Sequence, residues 1–330
     1  MKTLRDDDAV RVTIEPRDDS GRLLVIEKKR PDVYVHATSC VTGYPDDLIE
    51  LILSIKGPAF LCDEILRDED PEYVAKSLRL FMSSYFEPAS LEGKRVLDFG
   101  CGSGASLGVL ARNYPDAAFV GIELSAELLR IARRRVDFHE LANVDLLTSP
   151  APDQLPTNLG TFDVVLLNAV VEHLLPQERH ELLPAIWRLV RPGGALLVRE
   201  TPHRYFPIEV HTTSLPILNY LPDGMAMAMA KRFSRRVDPA STWTGLLRRG
   251  IRGATVGEIR RHLTAAGEGR PKPAPPRFGD AKDMIELWYR GEASVSRSKR
   301  FAYNGVRLLK AVTGLELPPW ISLAFFKPEP

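Results

Sequence analysis

The chain is poor in the features that most quickly mark a protein class. Only three of its 330 residues are cysteine (Cys40, Cys62 and Cys101). That number is odd and the spacing suits no metal, which excludes a disulfide framework or cysteine metal site and fits a reduced, cytoplasmic compartment. No apolar run is long enough for a membrane span. The opening MKTLRDDDAV is acidic and polar, unlike a secretory signal. The formal net charge is +1, so the overall charge singles out no partner. Aromatic residues make up 8% and form no stacking pattern of an RNA-binding module, so nucleic acid is not favoured. No internal repeat is visible. Apolar content of 44% and charged content of 26% are those of an ordinary globular chain.

The stretch with most structure in it runs from Arg95 to Ser125, RVLDFGCGSGASLGVLARNYPDAAFVGIELS. Val96, Leu97 and Phe99 form a short apolar run, expected for a strand buried on both faces of a parallel sheet, with Asp98 inside it. Gly100, Gly102 and Gly104 then punctuate a turn. Helical spacing resumes at Ala105, with Leu107, Leu110 and Ala111 on one side. Phe119–Ile122 predicts a second strand, with Glu123 at its carboxyl end and Leu124 next. Glycines let backbone approach a ligand and adopt positive φ. The helix start offers free N–H groups to it. An acid after the second strand accepts hydrogen bonds from a ribose diol.

The spacing is the tight G-x-G-x-G with an acid two residues before the first glycine. It resembles the first motif of class I S-adenosylmethionine-dependent methyltransferases, and Glu123 resembles their ribose-binding acid. Further matches extend the resemblance over roughly residues 94–202. FDVV is followed by Glu172-His173-Leu174, then a helix ending LVRPGG, then the apolar strand ALLVRE. The resemblance implies a seven-stranded Rossmann-like α/β sheet, mostly parallel with an antiparallel last strand, and helices on both faces. It implies S-adenosylmethionine as cofactor, leaving as S-adenosylhomocysteine, with Asp98, Phe99, Gly100, Cys101, Gly102, Gly104, Glu123, Leu124, Asn168 and Glu172 around it. The acid that such sequences place after the third strand to hold adenine is absent, since Ala151 stands there. Asp153 or Gln154 substitutes, or backbone groups do. A thiol function for Cys101 is outweighed by its being a small residue in a tight loop.

Around this core the pattern predicts a β-rich extension over 1–45, with a hairpin turning at Asp18-Asp19-Ser20-Gly21 and a third strand in VYVHATS. Two roles stay open for it: covering the substrate mouth, or pairing in a homodimer. Residues 46–330 are expected to form the methyltransferase domain. Within it, 45–88 reads as helical, with a helix opened by Asp70 and Pro71. The run Arg133–Arg135 is expected outward on its helix. A proline-rich lid spans 203–254. RPKPAPPRF reads as a linker or poor strand between C-terminal helices, and WISLAFFKP as the final antiparallel strand.

Methyl transfer from a sulfonium needs orientation, and a base where the acceptor is a hydroxyl or ammonium. Asn168, Glu172, His173, His203, Glu209 and His211 all fall after the fourth or fifth core strand, where open α/β sheets bind ligands. His211 is the first choice for base, with a loop-capping histidine as the plain alternative. Glu209 orients His211 or meets an acceptor hydroxyl, and His173 completes the candidate catalytic set. One branch of the family, acting on RNA ends, uses a similar Glu-His in a metal site. It has a further acid three residues earlier, where this chain has Ala169, so no metal is expected. The basic stretch 231–261 reads as a solvated face, or as attraction for an anionic acceptor. The expected activity is O-methylation of a small molecule or saccharide. The alternatives are a lipid-linked or RNA acceptor, and a non-catalytic regulatory module.

Overall fold

The computed structural model describes residues 1–17, 21–291 and 295–329. The chain opens with β1 (Lys2–Asp6), β2 (Val10–Arg17), β3 (Gly21–Lys28) and β4 (Ser39–Thr42), an antiparallel sheet in the order β1-β2-β3-β4. Alternation along β2 and β3 puts Val10, Val12, Ile14, Leu24 and Ile26 on one face. Helices α1 (Asp46–Lys56) and α2 (Leu61–Glu69) cover that face in a cluster of their own, which reaches Ile131 of the core. The hairpin tip Asp18–Ser20 lies outside the described residues. Two local expectations need correcting. The strand expected over VYVHATS forms only from Ser39, as β4; before it Tyr34 bonds His36, and His36 bonds Tyr73. Asp70 closes α2 instead of opening the next helix, α3 (Val74–Ser83), whose first turn follows Tyr73.

The core alternates strand and helix: β5 (Arg95–Phe99), α4 (Ala105–Asn113), β6 (Ala118–Glu123), α5 (Ala126–Phe138), β7 (Val144–Thr148), β8 (Phe162–Asn168), α6 (Pro176–Leu189) and β9 (Val190–Pro202). Helices α7 (Asp223–Phe233), α8 (Trp243–Arg248) and α9 (Val256–Thr264) follow. The chain continues through β10 (Pro273–Ala274), α10 (Met284–Gly291), α11 (Arg297–Thr313) and β11 (Trp320–Phe326). The second sheet runs β10-β11-β9-β8-β5-β6-β7. Strands β5 to β9 pair in parallel, and β11 is antiparallel to β9. This is the predicted seven-stranded Rossmann-like α/β arrangement. RPKPAPPRF supplies only the short edge strand β10, as its prolines, which lack an N–H to donate, dictate.

Alternate residues of single strands feed opposite clusters. Leu97, Val165 and Leu167 pack toward α6 and α9, while Val96, Val164 and Leu166 pack toward α3 and α4. Both faces are therefore covered, and the strands can be continuously apolar. The chain runs β5, β6, β7 outward and then returns to β8 on the other side of β5. This switch point leaves a crevice outside the carboxyl ends of β5 and β8, where ligands of such sheets sit.

Candidate functional site

The turn after β5 is built by its glycines. Gly100, Gly102 and Gly104 take φ of 77°, 57° and 78°, a left-handed region that costs other residues about 1–2 kcal/mol. A Cβ on Gly100 would lie 2.7 Å from Val170 and one on Gly104 2.8 Å from Ala132, so these two are also held by close packing. A Cβ on Gly102 would meet nothing within 4 Å, so its face is open. The N–H groups of Gly100 and Cys101 both donate to the Ile122 carbonyl, which stitches the turn to β6. Glu123, at the end of β6, accepts from Gly102 N at 2.9 Å and Ser125 N at 2.8 Å, so its carboxylate is turned toward the glycine turn. Each oxygen keeps a lone pair for a diol. Leu124 beside it is exposed, and Phe99 and Cys101 are buried.

Asp98 is almost wholly buried and its Oδ1 has no hydrogen-bond partner. Burial, and then the charge of Glu123, push its carboxyl up to about 7. A buried oxygen without a partner is costly, about 1–3 kcal/mol, and is satisfied by a cationic or donating ligand. The open face of Gly102, the carboxylate of Glu123 and the orphan oxygen of Asp98 fit S-adenosylmethionine, which brings a ribose diol and an ammonium.

Over the ends of β8 and β9 and the start of β11 lies a cavity of about 930 Å³, whose lining includes none of Asp98, Gly100, Gly102 or Glu123. Helices α2, α3 and α10 roof it with Arg67, Phe81 and Trp288, and Trp320 enters from β11. At its floor Ala169 and Glu200, the residues that end β8 and extend β9, take φ of 55° and 56°. Left-handed φ in non-glycine residues on adjacent strands is strain of the kind that gathers at functional sites. Arg199, wholly buried, donates to Asn168 Oδ1 at 2.6 Å and also binds Ser77 and Glu200. Asn168 in turn donates to Ser106 of α4 at 3.1 Å, so it links the floor to the helix after the glycine turn.

Glu172, His173 and His211 converge at one corner, with one donor atom from each lying within 4.8 Å of the others. Glu172 and His211 line the cavity. Burial pushes the Glu172 carboxyl up to about 8 and holds both histidines below the usual imidazole range. His211 lies edge-on to His173 and Trp320, with ring centres 5.3 and 6.1 Å apart.

Other predicted residues are placed differently. Glu209 is buried, and its carboxylate is taken up by the backbone N–H groups of His211, Thr212 and Thr213 and by the Thr213 hydroxyl. It shapes the loop that presents His211 and has no free oxygen for an acceptor. His203 is buried away from the cavity lining, accepts from Tyr205 N at 3.1 Å and is pushed down to about 4 by burial. Asp153 is exposed on its turn. Arg135, expected outward, is buried: it donates to the Ser103 carbonyl of the glycine turn at 2.7 Å and to the Glu64 carbonyl at 2.6 Å. Two residues of the basic stretch are structural: Arg248 pairs with Glu178 and Arg252 donates to the Asn219 carbonyl. Arg135, Arg199 and the roof from α2, α3 and α10 were missed by the sequence reading. Arg199 alone carried a local signal, a charged residue inside the apolar strand ALLVRE, whereas Arg135 stands in a run of three arginines.

Part of the chain is similar to known proteins. Residues 96–194 match a family described as "Methyltransferase domain". A fatty-acid O-methyltransferase of Mycolicibacterium smegmatis is 35% identical over 137 residues, 42% of this chain and 47% of that protein. An arsenite methyltransferase of Aquipseudomonas alcaligenes is 33% identical over 146 residues, 42% of this chain and 40% of that protein. A solved O-methyltransferase family protein from Burkholderia thailandensis has 18% identity and a TM-score of 0.45, over 67% of this chain and 57% of that one. The chain thus spans less than half the length of those two curated relatives. Among the described residues no helix is long and apolar enough to cross a membrane. Residues 96–194 thus match a methyltransferase domain, and the strand order and the glycine turn with its facing acid are those that the resemblance to class I S-adenosylmethionine-dependent methyltransferases implies.

Proposed function

We propose that the chain transfers a methyl group from S-adenosylmethionine to an oxygen of a small-molecule or saccharide acceptor held in the cavity. The observation that carries this reading is the cavity of about 930 Å³ over the carboxyl ends of β8 and β9, with Glu172 and His211 in its wall. When bound, the cofactor supplies an electrophilic methyl group on a sulfonium. Glu123 and Gly102 hold its nucleoside end, and Asp98 meets its ammonium. The roof residues Phe81, Trp288 and Trp320 exclude water and grip the acceptor's apolar surface. His211, kept neutral by burial, takes the proton from the acceptor hydroxyl at its ring nitrogen.

Several matched relatives act on carboxylic acids by name, as in fatty-acid O-methyltransferase and trans-aconitate 2-methyltransferase. The fatty-acid O-methyltransferase shares an acceptor oxygen with this reading, and the apolar roof also suits an acyl chain. Incubation with methyl-labelled cofactor and a panel of hydroxylated and carboxylated acceptors tests it. Label transfer with release of S-adenosylhomocysteine is expected, and His211→Ala abolishes turnover on hydroxyl acceptors while cofactor binding persists. Cofactor binding without transfer to any member of a broad panel favours a binding module instead.

A further inference from the structure

We propose that Glu172, His173 and His211 form a binding site for one divalent transition-metal ion at the wall of the acceptor cavity. The sequence reading set a metal aside because Ala169 stands where a further acid is needed. The fold supplies a different third donor, His211, from the loop after β9.

Four observations point to a cation at this corner. Glu172 is fully buried, and its Oε1 has no hydrogen-bond partner. Its other oxygen accepts from the Thr201 hydroxyl at 3.1 Å, which fixes the carboxylate with Oε1 turned to the histidines. His173 Nδ1 lies 2.8 Å from the Arg248 carbonyl, which is an acceptor only, so Nδ1 carries the hydrogen. The neutral ring then presents a lone pair at Nε2, 4.0 Å from Glu172 Oε1 and too far for a hydrogen bond. Finally, the backbone makes room for the cluster. Gly250 has φ of 87°, and a Cβ there would lie 2.7 Å from His211 Nδ1 and 3.1 Å from Glu172 Cγ.

Glu172 Oε1 makes no hydrogen bond to either ring, and a cation among the three donor atoms would offset the cost of burying it. One carboxylate and two imidazoles, with a carbonyl orienting one imidazole from behind, are the donor set of zinc and its first-row neighbours. Ligands at about 2.1 Å around a tetrahedral ion stand roughly 3.4 Å apart, so the ion draws the three donors in by about an ångström. Two of the three ligands, Glu172 and His211, line the cavity, which leaves the remaining position of the ion toward it. An acceptor oxygen bound there is positioned and acidified, which deepens the methyl-transfer reading on which it rests and, with the ion bound, gives His211 the part of ligand in place of base.

The test reads metal binding with neither cofactor nor acceptor present. The purified chain is stripped with chelator, dialysed and titrated with Zn²⁺ alone by calorimetry. Co²⁺ is then added as a spectroscopic probe. One equivalent of Zn²⁺ is expected, with visible Co²⁺ bands showing nitrogen ligation. Glu172→Gln and His211→Gln, confirmed folded by circular dichroism, weaken binding by at least about 10-fold. Wild-type protein that takes up no Zn²⁺ or Co²⁺, or folded variants that bind as wild type does, overturns the proposal. A chain that binds S-adenosylmethionine but no metal retains the methyl-transfer reading and loses this one.

Discussion

Replacing Arg135 by Met removes a guanidinium that is nearly inaccessible to solvent. In the native chain it donates to the Ser103 carbonyl at 2.7 Å, the Ser103 hydroxyl at 2.8 Å, the Glu64 carbonyl at 2.6 Å and the Tyr44 hydroxyl at 3.0 Å. It stands 3.4 Å from the Glu64 carboxylate and 3.9 Å from that of Asp68, both buried. Breaking a buried pair by removing one partner costs about 3–5 kcal/mol, because the other charge stays desolvated. Here Glu64 keeps Lys56 at 2.9 Å, and Asp68 keeps Arg112 at 2.6 Å and His139 at 2.8 Å, which favours the lower end. Two backbone carbonyls also lose a donor, at about 1 kcal/mol each. The expected loss is about 5 kcal/mol in urea unfolding, a large part of the 5–15 kcal/mol typical of a domain. Because Ser103 belongs to the glycine turn, affinity for S-adenosylmethionine falls as well, by about 10-fold, or 1.4 kcal/mol. Arg135→Lys keeps the charge but not the planar fork and falls between the two. Destabilisation below about 1 kcal/mol in Arg135→Met, with unchanged cofactor affinity, would refute the claim that this side chain braces the turn.

Two other outcomes follow. The Glu64 carboxyl is buried, which alone would raise it, but the charges of Arg135 and Lys56 hold it at about 2, against an ordinary 4.5. Since the folded state binds this proton more weakly than the unfolded state, its contribution is complete above pH 4.5 and fades as pH falls toward 2. That amounts to about 3 kcal/mol by linkage, visible as acid-limb steepness in urea midpoints and lessened in Glu64→Gln. Gly102→Ala puts a methyl group into open space at φ of 57°. It should cost about 1–2 kcal/mol of stability yet weaken cofactor binding more than tenfold, because the added carbon occupies the nucleoside's side of the turn. Equal cofactor affinity in that variant would move the binding face elsewhere.

The core was legible because its signals are local. Val96–Phe99, the glycine turn and Glu123 lie within one βαβ unit, where period, turn chemistry and strand-end position act over a few residues. The misplaced pieces depend on partners far along the chain. Arg133–Arg135 looks like a solvated helix face until α2 brings Glu64 and Asp68 against it. Glu209 looks like a catalytic acid until the loop folds back so that its oxygens meet the N–H groups of Thr212 and Thr213. The meeting of His173 with His211 joins a strand end to a loop beyond the next strand, and no spacing rule reports it. The cavity roof comes from α2, α3 and α10, segments on either side of the matched region 96–194.

The central claim is that the turn after β5 and the carboxylate of Glu123 hold S-adenosylmethionine. Calorimetric titration of the wild-type chain and Glu123→Ala with S-adenosylmethionine, and of the wild type with NADH, tests it most directly. Saturable binding of the sulfonium is predicted, weakened in Glu123→Ala by about 1–3 kcal/mol for the stranded hydroxyls, with no comparable affinity for NADH. Tight NADH binding without sulfonium binding, or an unchanged dissociation constant in Glu123→Ala, would contradict it.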